Sequence, residues 1–315
     1  MTGGDAPGAG DASLRRVRGR LAPDAMYPAR EPAVRTRLVR LADGLTLRLA
    51  ESGAPSAPPV VLLHGWGASL YMWRGWFAPL AAAGFRAVAV DLPGHGLSDA
   101  PLQPGAYRLD RLVAVVRELL AAESLRGAPI VAQSMAGTIA LELALAEPTT
   151  TGALTLVNAA AFGHIALQRL ARLASPRPVE LLGAALPRWV VARAHRLAYA
   201  DPARVSARDV DEYWAPSQRP GYSRAMRRLL HEFSWERAPA AQLADRLATL
   251  PRAPLVVVAG RDRLVRDAGP YLSQLARLGA PLTRLDIPDG GHAVNEEEPQ
   301  RVLAPVLAQL RGDGR

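Results

Sequence analysis

From Val60 onward, short apolar runs alternate with longer stretches in which apolar residues recur every three or four positions. Runs of that length, bounded by turn residues, predict buried strands, and the longer period predicts amphipathic helices. The strands read from the pattern are Val60–Leu63, Arg86–Asp91, Pro129–Gln133, Ala153–Asn158, Leu255–Ala259 and Leu282–Ile287. Helices are predicted over Leu70–Ala83, Leu109–Glu123, Ser134–Ala146, Ala268–Leu278 and Pro299–Leu310. Continuous apolar strands separated by helices imply an α/β fold: a mostly parallel sheet with helices on both faces. Ahead of it, Thr36–Leu41 and Leu45–Glu51 flank Ala42-Asp43-Gly44, a hairpin signal. Between Asn158 and Leu255 the rhythm breaks, and the spacing is helical throughout. Residues 1–30, rich in Gly, Ala, Asp and Arg, read as a disordered basic tail with a short helix around Ser13–Leu21.

Chemistry concentrates on three loops, each just beyond a predicted strand. Ser134 stands in Val131-Ala132-Gln133-Ser134-Met135-Ala136-Gly137, where a strand breaks directly into a helix. A turn that tight needs small residues two before and two after the serine, and Ala132 and Ala136 meet the need. An ordinary serine N-cap is the alternative reading of the same residues. A hydroxyl becomes a nucleophile only beside a base, and the base needs a carboxylate to fix its tautomer. Asp262 follows the strand ending at Ala259, and His292 follows the one ending at Ile287. The chain order Ser, Asp, His is that of one fold family.

On these motifs the chain resembles the α/β-hydrolases, from about Arg35 to the end. His64-Gly65-Trp66-Gly67 is similar to that family's oxyanion loop. Asp91-Leu92-Pro93-Gly94-His95-Gly96-Leu97-Ser98 is similar to its tight loop after the next strand. Gly291-His292 with Glu297 and Pro299 behind it resembles the histidine loop. The resemblance implies Ser134 as nucleophile, His292 as base and Asp262 as acid. It also implies backbone N–H donors at Trp66 and Met135 for the oxyanion, leaving their side chains free to line the pocket. The family's other location for the acid holds Asn158, which cannot serve. The helical stretch then corresponds to a cap, read as Phe162 to about Glu236 within a single domain, residues 31–315. Its apolar part, Val179–Ala192 with Trp189, and Tyr199, Tyr213, Trp214, Tyr222, Phe233 and Trp235 either pack the cap down or form an apolar channel.

The activity implied is cleavage of a carboxylic ester or related acyl bond of a small hydrophobic substrate. Carbon–carbon hydrolysis of ring-cleavage diketones and acyl transfer are alternatives, although Ala293 replaces the tryptophan usual in the former. A ligand-binding receptor on the same fold is the non-enzymatic alternative. Serine at position 134 disfavours epoxide and haloalkane hydrolysis, whose relatives carry aspartate there.

Composition narrows the partners. The net charge is +9, and every cationic side chain is arginine. Residues 1–40 carry +4 and residues 161–240 carry +6, so the rest is close to neutral. The arginines alternate with apolar residues as on solvated helix faces, and no nucleic-acid motif accompanies them. Docking of the basic cap on an anionic membrane surface stays open. There is no cysteine, and no histidine spacing suits a metal, so no cofactor or metal is expected. His64 and His95 read as loop-holding residues. His164, His195 and His231 read as residues of a helical region with no carboxylate or histidine partners at metal-ligand spacing. No apolar run reaches about 20 residues, and no signal segment opens the chain, so a cytoplasmic location is expected.

Overall fold

The computed structural model describes residues 21–165 and 186–312. An eight-stranded sheet forms the centre: β1 (Arg35–Arg40), β2 (Thr46–Ser52), β3 (Pro59–Leu63), β4 (Arg86–Val90), β5 (Ile130–Gln133), β6 (Leu154–Val157), β8 (Leu255–Ala259) and β10 (Thr283–Ile287). The spatial order is β1-β2-β4-β3-β5-β6-β8-β10. β1 and β2 pair antiparallel, as do β2 and β4, and every other pairing is parallel. The parallel strands are the ones that read as unbroken apolar runs, because both their faces are covered. Val61 and Leu63 enter one core, with helices α2 (Leu109–Ala122), α3 (Met135–Ala146) and α8 (Ala268–Arg277). Val60 and Leu62 enter the other, with α1 (Phe77–Ala82) and α10 (Pro299–Arg311).

The connection from β3 runs to β4 on one side, and the chain then returns to β5 on β3's other side. Loops after β3 and β5 therefore diverge at a switch point, where an α/β sheet opens a crevice at its carboxyl ends. Ser134 and the His64-Gly65-Trp66 loop lie at that crevice.

Three sequence expectations change. The helix predicted over Leu70–Ala83 is two pieces, a 3₁₀ turn at Leu70–Trp73 capped by Ser69 and then α1. The break falls where Trp73 and Trp76 turn inward, fully buried and edge to face at 5.0 Å between ring centres. His164 is on strand β7 (His164–Ile165), paired with β9 (Val265–Arg266), and not in a helix. The tail does not extend to residue 30. Met26 and Tyr27 are buried, the Tyr27 N–H donates to Glu212 at 2.8 Å, and Arg48 donates to the Tyr27 carbonyl at 2.6 Å. Two apolar residues in a polar stretch carry no periodicity, so the pattern could not reveal them. The helix expected around Ser13–Leu21 lies outside the described residues.

Between β6 and β8 the described chain carries β7, then helices α4 (Arg188–Ala198), α5 (Ala207–Ser217), α6 (Tyr222–Glu232) and α7 (Ala240–Leu247). This insertion is fixed to the core by polar contacts. Arg219 donates to the carbonyls of Gly96 and Ser98 at 3.0 and 2.8 Å. Tyr71 donates to Asp209 at 2.8 Å, and Arg74 joins Asp209 at 2.9 Å and Glu296. Burial disfavours the Arg74 charge, yet these carboxylates hold the guanidinium firmly protonated.

Gly53, which follows β2, has φ +95°, and a Cβ there would lie 2.3 Å from the Phe85 carbonyl oxygen. Gly53→Ala combines a left-handed backbone with that clash and should cost about 1–3 kcal/mol. A urea melt with a lowered midpoint and unchanged slope is the expected result.

Candidate active site

Ser134 has φ 52° and ψ −115°, outside the regions a non-glycine residue ordinarily occupies. Such a conformation persists only where the surroundings over-determine it. Here its N–H donates to the Val157 carbonyl at 2.9 Å, and its carbonyl accepts from Gly137 and Ala160 at 3.0 Å each. Packing allows no slack. A Cβ on Gly65 would lie 2.9 Å from the Ser134 Cβ, and one on Gly137 would lie 2.5 Å from the Ala159 Cβ. Ser134 is therefore not an ordinary N-cap, and its side chain makes no capping bond to α3.

His292 and Asp262 meet directly, with the imidazole Nδ1 at 2.7 Å from the carboxylate Oδ2. Both side chains are nearly buried. The other oxygen of Asp262 accepts from the Leu264 and Val265 N–H groups at 2.7 and 2.9 Å. That fixes the carboxylate, and the carboxylate fixes the ring with Nδ1 protonated and Nε2 able to accept.

The backbone behind the ring is held as firmly. The His292 carbonyl accepts from Asn158 Nδ2 at 2.9 Å and from Gln133 Nε2 at 3.1 Å. Asn158 also donates to the Gly291 carbonyl at 3.1 Å and accepts from the Ala259 N–H at 2.8 Å. Asn158 is thus a positioning residue that ties the end of β6 to the loops after β8 and β10. From the sequence it appeared only as a residue unable to act as the acid. Glu297, near-buried, accepts from the N–H groups of Gly291, Ala200 and Asp201 at 3.0 to 3.1 Å. Ala293 donates to the Ala198 carbonyl at 2.9 Å. The histidine loop is therefore bonded to the end of α4.

The two buried histidines beside the His64-Gly65-Trp66-Gly67 loop hold it. His64 Nε2 accepts from the Leu92 N–H at 3.0 Å, and its Nδ1 donates to the Gly65 carbonyl at 2.8 Å. His95 Nε2 accepts from the Gly67 N–H at 3.0 Å, and its Nδ1 donates to the Pro93 carbonyl at 3.0 Å. Each acceptor nitrogen exists only in the neutral ring. Burial lowers the pKa of both, most strongly for His95, whose neighbour His64 acts in the same direction. The loop so held carries the Trp66 N–H, and the turn at Ser134 carries the Met135 N–H at the start of α3. Neither N–H has a protein acceptor among the described residues. The expectation for their side chains is half corrected: Trp66 borders the pocket, whereas Met135 is fully buried in the core beside α3.

The pocket is a cavity of about 340 Å³ bordered by Ser134, His292, Gln133 and Trp66. Its remaining wall is mainly apolar, including Met72, Leu186, Val190, Val191, Met226 and Val265. Of the six aromatics named for the channel, Tyr199, Trp214 and Phe233 are buried without bordering it, whereas Tyr213, Tyr222 and Trp235 border it. Trp189 does not: it faces outward and is 69% exposed. Residues 179–185 of the apolar stretch 179–192 lie outside the described residues. His195 also borders the cavity. Glu296, itself bonded to Arg74 and Tyr213, lies 3.9 Å from the His195 Nε2. Burial lowers the His195 pKa more than Glu296 raises it. Among the described residues no group of three or more His, Cys, Asp or Glu is arranged to hold a metal ion.

Known proteins share the fold that carries these residues. The sequence profile of the α/β hydrolase fold matches residues 58–299. The chain is 30% identical over 276 residues to the dihydrolipoyllysine-residue acetyltransferase component of the acetoin cleaving system of Pseudomonas putida, covering 85% of this chain and 67% of that protein. The structure of Cfl2 from Burkholderia cenocepacia superposes with a TM-score of 0.70 at 27% identity, covering 90% of this chain and 96% of that one. A 2-hydroxy-6-oxo-6-phenylhexa-2,4-dienoate hydrolase from Rhodococcus shares the fold at a TM-score of 0.69 and 24% identity, covering 88% of this chain and 98% of that one.

Two outcomes follow for the loops around Ser134. Asn158→Ala removes the donor to the His292 carbonyl and should lower kcat more than it raises KM, because it displaces the ring and not the pocket wall. Steady-state kinetics on any turned-over ester separates the two. The second outcome concerns pH. His64 and His95 have native pKa values below the unfolded value near 6.5, so below that pH the unfolded chain binds more protons than the native one. Their contribution is complete above about pH 6.5 and is lost as pH falls toward their native values, at up to about 1.4 kcal/mol per pH unit for each ring. Urea melts at pH 7.5 and 5.5 should show this fall, and His95→Gln should make it shallower.

Proposed function

The chain belongs to the α/β-hydrolase fold family, and from that premise we propose that it is a serine hydrolase that cleaves a carboxylic ester or related acyl bond. The observation that carries the reading is the 2.7 Å pairing of His292 with Asp262 on the wall of the cavity that Ser134 borders. Ser134 Oγ attacks the substrate carbonyl as His292 Nε2 takes its proton. Asp262 stabilises the imidazolium that forms. The tetrahedral oxygen is held by the Trp66 and Met135 N–H groups, each donor lowering the barrier by roughly 3–4 kcal/mol. The Met135 N–H opens α3, where the helix dipole favours negative charge. His292 then passes its proton to the leaving alcohol, and an acyl group remains on Ser134. Water, deprotonated by His292, releases the acid and restores the serine.

The insertion serves as a cap in this reading. It closes an apolar space over the reacting carbonyl and keeps bulk water from competing with the fixed donors. The cavity suits a small hydrophobic acyl or alcohol group and falls at the lower end of small-molecule sites. No helix among the described residues is long and apolar enough to cross a membrane.

Labelling with a fluorophosphonate, together with turnover of p-nitrophenyl esters of increasing acyl length, tests the proposal. The wild type should label and show an optimum at short to medium chains. Ser134→Ala should not label, and should lose at least three orders of magnitude in kcat. An unlabelled wild type without esterase activity would favour a binding role, and equal turnover by Ser134→Ala would remove Ser134 from the mechanism. Adding an alcohol acceptor separates hydrolysis from acyl transfer by product.

A further inference from the structure

Helix α4 is a wall with two differently built faces. Val190, Val191, Ala194 and Leu197 border the cavity shared by Ser134 and His292. Trp189, Arg193 and Arg196, at i, i+4 and i+7, border an open groove on the other side together with Arg188, Pro202 and Arg263, and Leu197 borders both spaces. The groove measures about 640 Å³. Trp189 is 69% exposed, more than any other large hydrophobic side chain among the described residues. Arg188 at the head of the helix is paired with Asp211 at 2.6 Å. Arg193, Arg196 and Arg263 have no ion-pair partner among the described residues. The outer face of α4 thus presents an exposed indole beside the guanidinium groups of Arg193 and Arg196, with Arg263 of the loop after β8 on the same groove.

A water-exposed indole is in a poor environment, and its amphipathic ring is best placed between lipid headgroups and acyl chains. Arginines at the same level meet the phosphates of anionic lipids, each contributing about fivefold in partitioning near the surface. We propose that the outer face of α4, with Arg263 from the loop that carries Asp262, docks the protein reversibly on an anionic phospholipid bilayer. Charge complementarity selects the anionic surface. The indole selects a bilayer over a soluble acidic partner, because lipid gives it an apolar layer to enter. Docked in this way, the helix lies in the plane of the interface, its inner face still closing the cavity.

Co-sedimentation with vesicles of mixed phosphatidylglycerol and phosphatidylcholine, against phosphatidylcholine alone, tests the docking at low and physiological salt. The wild type should bind the anionic vesicles, weaken with salt, and bind the neutral ones poorly. Arg193→Glu with Arg196→Glu should lower binding at least tenfold. Trp189→Ala should lower it several-fold and remove most of the fluorescence quenching by brominated lipid. Failure of the wild type to bind anionic vesicles overturns the proposal, as does wild-type partitioning by the double variant. Undiminished binding by Trp189→Ala also overturns it, because charge alone would equally serve a soluble acidic partner. None of these readouts requires turnover, so they stand apart from the Ser134 experiments. None of the substituted side chains borders the cavity, so each variant should turn over a soluble short ester as the wild type does.

Discussion

The carbonyl of His292 accepts two side-chain amides, from Asn158 and from Gln133, and the site depends on that junction. Asn158 directly follows β6, and Gln133 ends β5 directly before Ser134. The same carbonyl therefore fixes the imidazole relative to the hydroxyl through one rigid sheet and not through flexible loops. Parallel pairing makes this possible, because it brings the carboxyl ends of β5, β6, β8 and β10 to one rim in order. Neighbouring strands lie about 4.8 Å apart, so residues far apart in the chain reach one another with short side chains.

Around that junction, charge takes over from apolar packing. Arg74 lies among Asp209, Glu296 and the ring of Tyr71, 4.3 Å from its centre, with Tyr213 bonded to the same Glu296. Core and insertion are joined there by buried polar groups that satisfy one another. Removing one partner of such a cluster leaves a buried charge without compensation, which costs more than the pair itself contributes. The insertion is consequently held in one orientation over the cavity, with its apolar side chains free to shape the space beneath.

Much of this was legible in the chain. The strands with continuous apolar runs and the helices with a clear period are found where the pattern puts them, and His292 and Asp262 meet as their loop positions implied. What the pattern could not show has identifiable causes. Met26 and Tyr27 are buried, and Tyr27 packs on the rings of Tyr71 and Phe77, distant in the chain, so no local signal marks them. The break before α1 comes from two tryptophans turning inward, which a helical period cannot distinguish from one continuous helix. Trp189 reads as apolar and therefore inward, but a helix bordering a cavity on one side has a second side, and hydrophobicity alone does not say which a residue takes. Asn158 and Glu297 act through backbone groups of other loops, and such bonds leave no spacing in the sequence.

Glu297 receives the amides of Gly291, Ala200 and Asp201 on one carboxylate, while Ala293 bonds Ala198 beside it. The segment 198–201 and the turn 291–297 are thus one structural unit despite the hundred or so residues between them. A graft that replaced only the helices above the cavity, to borrow another relative's selectivity, would sever this seam and loosen the imidazole it was meant to preserve. The modular boundary of this enzyme scaffold runs through the middle of its insertion, inside the span that topology alone would mark for exchange.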